Sequence, residues 1–201
     1  MFLNSNYGLK TCQFLLEQFW SLIKMSEDKS YMIIDEGNDI IRQIRERYPN
    51  CFWPVEPDHV IVLGVTNKPR PFSQRALATI TKIDTAHRTI IRSFCSKDIQ
   101  YMIEVYCSDW TQWNDTRRQW ILAHEMSHIG SPIMKGLVKH DVEDFGWVID
   151  AVGIDWYNRD DLPDLLGNDL FPFKEHLFNR VHPNEENDSG SYSNNPDISF
   201  E

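Results

Sequence analysis

Six consecutive residues without a polar side chain, Val60-Ile61-Val62-Leu63-Gly64-Val65, constrain the fold of this 201-residue chain more than any other stretch. A short, continuous, largely β-branched run suits a strand buried on both faces, so the rest of the chain must supply cover for it. Upstream, residues 36–48 (EGNDIIRQIRERY) place Ile40, Ile41 and Ile44 on one face with arginines opposite, and Pro49 stops what reads as an amphipathic helix. Downstream, 66–75 read as a loop, and 77–83 and 88–94 as two strands with Asp84-Thr85-Ala86 as the turn between them. In residues 100–106, Tyr101, Ile103 and Val105 alternate with Met102, Glu104 and Tyr106, the pattern of a half-buried strand.

Residues 115–129 (DTRRQWILAHEMSHI) contain no Pro or Gly and are rich in helix formers. Asn114 or Asp115 can cap the start, and Gly130 with Pro132 ends the run. A second helix is expected near 141–152, where Val142, Phe145, Ile149 and Val152 fall on one face and Asp141 suits the N-cap. Helix, strands, then two helices is an α+β order, with a small, mostly antiparallel or mixed sheet of about four strands.

Composition narrows the function classes. Residues 1–140 hold 17 basic and 15 acidic side chains, whereas 141–201 hold 3 basic and 15 acidic, a net charge of −12. That acidic third would repel a polyanion, which excludes nucleic acid as the direct ligand. No stretch approaches the roughly 20 apolar residues of a membrane-spanning helix, and the first residues lack a secretory signal, so a cytoplasmic location is expected. Four cysteines without a CxxC pair (Cys12, Cys51, Cys95, Cys107) fit a reducing compartment and offer no cysteine metal site. The tail at 183–201, with five acids and no Lys or Arg, reads as flexible. Met25 opens a run that looks like a natural start, so residues 1–24, with helical spacing at Phe14, Leu15, Phe19 and Leu22, read as an appended helix before a domain at 25–182.

The chemistry is concentrated in His124-Glu125-Met126-Ser127-His128, an HExxH pattern. Residues i and i+4 of a helix share a face, so two imidazoles can reach one ion at about 2.0–2.1 Å, and Glu125 can lean over it to take a proton from the attacking water. Catalytic zinc takes three protein ligands plus water, so a third must follow. His140, twelve residues after His128, is the first candidate; Asp144 or Glu143 are alternatives, with His176 more distant. Asp141, Glu143 and Asp144 can equally favour a helix N-terminus or accept the outer N–H of a ligating imidazole.

WILAHEMSHIG followed by KHDVEDFGWVID resembles the phage-type metallopeptidases, small zincin-like proteins, over about residues 30–155. The resemblance implies a zincin-like fold, bound Zn2+, and hydrolysis of a protein or peptide substrate in a host-cell cytoplasm. The chain lacks the Gly and third His that metzincins place within six residues of HExxH, and the Asn-Glu-x-x-Ser-Asp helix of thermolysin-like enzymes. In zincin-like folds the strand before the HExxH helix lies along the cleft, which nominates Tyr101 to Tyr106, with Tyr101, Ile103 and Val105 as substrate-binding residues.

Glu125 is then the general base and His124, His128 and His140 the metal ligands. No oxyanion stabiliser declares itself among Tyr157, His176 and His182. Phe145 and Trp147, like Trp110, Trp113 and Trp120, read as core. The competing class is a non-catalytic protein that keeps the scaffold to bind a host partner; an intact Glu125 favours the enzyme. A hydrolase of another amide, such as one in a cell wall, is the third reading.

Overall fold

The computed structural model describes residues 29–68, 76–130, 136–140 and 144–167. In chain order these form β1 (Tyr31–Ile33), α1 (Asp35–Arg47), β2 (Val60–Val65), β3 (Ala78–Lys82), α2 (Thr85–Cys95), β4 (Tyr101–Tyr106), the single turn α3 (Cys107–Trp110), α4 (Asp115–Ser127) and α5 (Gly146–Val152). The sheet order is β1-β2-β4-β3, with β2 parallel to β4 and the other pairs antiparallel. This is the α+β, four-stranded mixed sheet expected, in keeping with a zincin-like fold.

Every residue of β2 is buried, as its composition demands. Val60 and Val62 face the larger core with Ile103 and Val105 of β4, roofed by Ile40, Ile41 and Ile44 of α1 and by Trp120, Ile121, Leu122 and Met126 of α4. Ile61, Leu63 and Met102 face the other way, against Ile91 of α2. α1 lies close on β2 because Gly37 has no side chain: a Cβ there would stand 2.9 Å from Cγ1 of Val62. Trp110, Trp113, Trp120 and Trp147 are all buried in the core, and Phe145 is buried as well.

Three expectations are corrected. Residues 88–94 are not a strand: Thr85–Cys95 is helical, because Asp84 is an N-cap whose carboxylate accepts from the amides of Ala86 (3.0 Å) and His87 (3.1 Å), and Ser96 closes the helix at φ 57°. The second C-terminal helix starts at Gly146, five residues late, because Phe145 is extended and Asp144 turns its carboxylate elsewhere. And β4 is not an edge. β2 pairs with it from Tyr101 to Tyr106 and β3 from Tyr101 to Val105, and Ile103 and Val105 are fully buried, so Tyr101, Ile103 and Val105 do not form a substrate-facing strand.

Among the described residues the sheet edges are β1 and β3. The amide of Ile83 donates to the Gln100 carbonyl (2.8 Å), so odd-numbered residues of β3 turn their backbone to β4, and Ala78, Ile80 and Lys82 turn theirs outward. The appended helix at 1–24, the tail at 183–201, Asp141 and Val142 lie outside the described residues.

Candidate metal centre

Asn114 caps α4 by accepting the Arg117 amide (2.8 Å), and eight residues of the helix are buried. His124 and His128 follow at the buried end, one turn apart, with ring centroids 5.2 Å apart. His128 is the C-cap, where the last turn tightens: the amide of Ile129 reaches the Met126 carbonyl (3.0 Å). The chain then returns, and His140 presents Nε2 3.2 Å from Nε2 of His124 and 3.2 Å from Nε2 of His128. A tetrahedral ion about 2.0–2.1 Å from each nitrogen requires separations of about 3.3–3.4 Å. The three histidines therefore form a group that can hold a metal ion.

The outer ring nitrogens have partners of their own. Nδ1 of His128 donates to the Val138 carbonyl at 2.6 Å, and the Val138 amide donates back to the His128 carbonyl at 2.8 Å. Nδ1 of His124 lies 2.9 Å from Oδ1 of Asp144, a close contact that falls short of good hydrogen-bond alignment. Asp144 also accepts from the Phe145 amide (2.6 Å) and from the Trp156 indole N–H (2.7 Å). Burial pushes the Asp144 carboxyl up, but the His124 ring, Trp156 and the Phe145 amide outweigh it and hold it below the usual range. Burial lowers the His128 pKa, favouring neutral imidazole, the form that binds a metal. Phe145 closes the site from beneath, its ring edge-on to His124, His128 and His140 at 5.3, 4.7 and 4.9 Å.

Glu125 points to the interior and is 5% exposed. Burial raises its pKa to about 7; the neighbouring His124 and the backbone N–H of Ile80, on the outward side of edge strand β3, oppose that rise. A carboxyl poised near neutrality can both accept and return a proton at working pH.

The structure thus brings together His124, His128 and His140 and keeps Asp144 on the outer side of His124, away from the converging Nε2 atoms. Glu143, His176 and His182 lie outside the described residues. Tyr157 is exposed, its ring edge-on to Trp156. The sequence reading missed Phe145 as the floor of the site, the Val138 carbonyl, the Ile80 amide and Trp156. A backbone carbonyl leaves no residue-type signal; only Asp144 was foreshadowed, as a possible acceptor for an imidazole N–H.

Among the described residues no helix is long and apolar enough to cross a membrane. No curated protein and no solved structure matches the chain significantly. A family model does: the one described as "Putative phage metallopeptidase" matches residues 29–167, including every residue of the site above. Such a family implies a bound metal and a protein or peptide substrate. The chain belongs to this phage metallopeptidase family.

Proposed function

We propose that the protein is a zinc-dependent peptidase in which His124, His128 and His140 hold the metal and Glu125 is the general base. One observation carries this reading. His128 spends its Nδ1–H on the Val138 carbonyl and His124 turns Nδ1 to Asp144 Oδ1 at 2.9 Å, so Nε2 is the atom each has left to converge on Nε2 of His140, 3.2 Å away. His140 can give a proton to at most one of them. Converging lone pairs repel unless a cation lies between, and an all-imidazole set at this spacing suits zinc.

Zinc bound there supplies a Lewis acid that polarises the scissile carbonyl and acidifies water. Glu125 takes the proton of the attacking water and passes it to the leaving amine, its buried carboxyl matched to both transfers. Phe145 keeps bulk water from the underside of the imidazoles. The substrate backbone adds to the outward edge of β3, through the groups of Ala78 and Lys82 that flank the Ile80 amide beside Glu125.

The test is elemental mass spectrometry of the purified protein after dialysis against a weak chelator, with Glu125→Gln beside it in a peptide-library digest. We expect about one zinc per chain in both proteins and cleavage by the wild type alone. A folded chain that retains no metal defeats the reading. Retained zinc with equal cleavage by both proteins removes Glu125 from its role.

A further inference from the structure

Trp156, in the short turn Trp156–Asn158 that follows α5, is buried, and its indole N–H is spent on a side chain: it donates to Oδ2 of Asp144 at 2.7 Å. The other carboxylate oxygen takes the Phe145 amide (2.6 Å) and faces Nδ1 of His124 (2.9 Å). With a donor on each oxygen, Asp144 cannot swing away from His124. The Trp156 ring also lies against the His124 ring, centroids 5.7 Å apart and tilted by 35°.

The turn is pinned from the start of α4. The Arg117 guanidinium donates to the Tyr157 carbonyl and stands 3.3 Å from Asp160, and the Asn114 side chain donates to the Asp160 carbonyl at 3.2 Å. Helix α4 therefore carries His124 near one end and, at the other, fixes the segment that supports it.

We propose that Trp156 is a positioning residue of the metal centre, its indole N–H locking Asp144 so that His124 is held as the Nδ1–H tautomer with Nε2 aimed at the ion. The inference rests on His124 being a metal ligand. Asp144 is the group directly behind the ligand, a place that typically contributes about 10–100-fold to metal affinity, and Trp156 acts through it.

Trp147 provides the control. It is equally buried and its indole N–H also bonds a side chain, the Ser127 hydroxyl of α4 at 3.2 Å, but that hydroxyl donates to the Ala123 carbonyl, whereas Asp144 faces a ligand imidazole. Zn2+ affinity is measured by competition with a chromogenic chelator for the wild type, Trp156→Phe and Trp147→Phe, with far-ultraviolet circular dichroism confirming the fold. We expect Trp156→Phe to bind zinc more weakly, by up to about 10-fold, and Trp147→Phe to match the wild type. Equal affinity of Trp156→Phe and wild type overturns the proposal, as does equal weakening in both variants, which would mark a general packing effect. Should Trp156→Phe not fold, 15N NMR of the metal-free wild type at pH 8 decides: His124 protonated at Nδ1 sustains the proposal, and protonation at Nε2 overturns it. Failure of the underlying metal reading looks different, since the wild type itself would then bind no zinc.

Discussion

His128 and Val138 are bonded twice: the ring Nδ1 of His128 donates to the Val138 carbonyl, and the Val138 amide donates to the His128 carbonyl. The pairing fixes an imidazole and, two residues further on, brings His140 to the site. Val138→Pro removes one of the two bonds by deleting the amide hydrogen. We expect it to weaken zinc binding about 10-fold or more with secondary structure intact, read by chelator competition and circular dichroism. Unchanged affinity would mean that His140 is delivered without this clasp.

Glu125 makes stability depend on pH in a direction opposite to most carboxylates. Its folded pKa, about 7, lies above the ordinary value of 4.5 for a glutamate in water. Between those values the folded chain keeps a proton that the unfolded chain has lost, so stability falls as pH rises through the window and the deficit is complete above about 7. Glu125→Gln carries no such deficit. In the metal-free protein, urea unfolding should find the variant gaining on the wild type by about 2–3 kcal/mol between pH 5 and pH 8. A difference that does not change with pH would place the Glu125 carboxyl in a wetter setting than its burial indicates.

The segment 162–166 is strapped across the back of α4. Gln119 Oε1 accepts the amides of Leu165 (3.0 Å) and Leu166 (3.3 Å), Trp120 donates to the Pro163 carbonyl (2.7 Å), and Tyr48 donates to the Leu165 carbonyl (2.6 Å). Gln119→Ala leaves the buried Leu165 amide without its acceptor, whereas the Leu166 amide keeps Asp164 Oδ1 at 3.0 Å. It should cost about 1–3 kcal/mol of stability and speed hydrogen exchange at Leu165 while leaving zinc affinity at the wild-type level. A matching loss of zinc affinity would show that the strap also supports the site.

Much of this was legible because the informative segments obey one period. β2 is apolar at every position, and α4 shows a cap, an uninterrupted run of helix formers and a breaker. α2 was not legible. Asp84 reads equally as a turn residue or a cap, and of Ile90, Ile91 and Phe94 only Ile91 is buried, so neither period dominates. The central place of β4 depends on pairing with β2, some forty residues away, which no local pattern encodes. At the site, HExxH announced two histidines and the glutamate between them. The third histidine could only be ranked, because which residue closes the triangle is decided by the path of a loop and by the Val138 carbonyl.

That ranking between His140 and Asp144 yields the most decisive comparison. In the structure His140 offers a nitrogen to the converging set, while Asp144 stands behind His124 with its oxygens engaged by Phe145 and Trp156. His140→Ala deletes a donor atom, whereas Asp144→Asn leaves all three imidazoles and removes only the charge behind one. We expect His140→Ala to lower zinc affinity by more than about 100-fold and Asp144→Asn by about 10–100-fold, measured in the same competition assay. Cobalt substitution separates the two mechanistically. The visible bands of a cobalt-loaded protein report the donor set, so they should change strongly in His140→Ala and only slightly in Asp144→Asn. If Asp144→Asn proves the more damaging and alters the spectrum more, the carboxylate is the third ligand and His140 a residue at the rim.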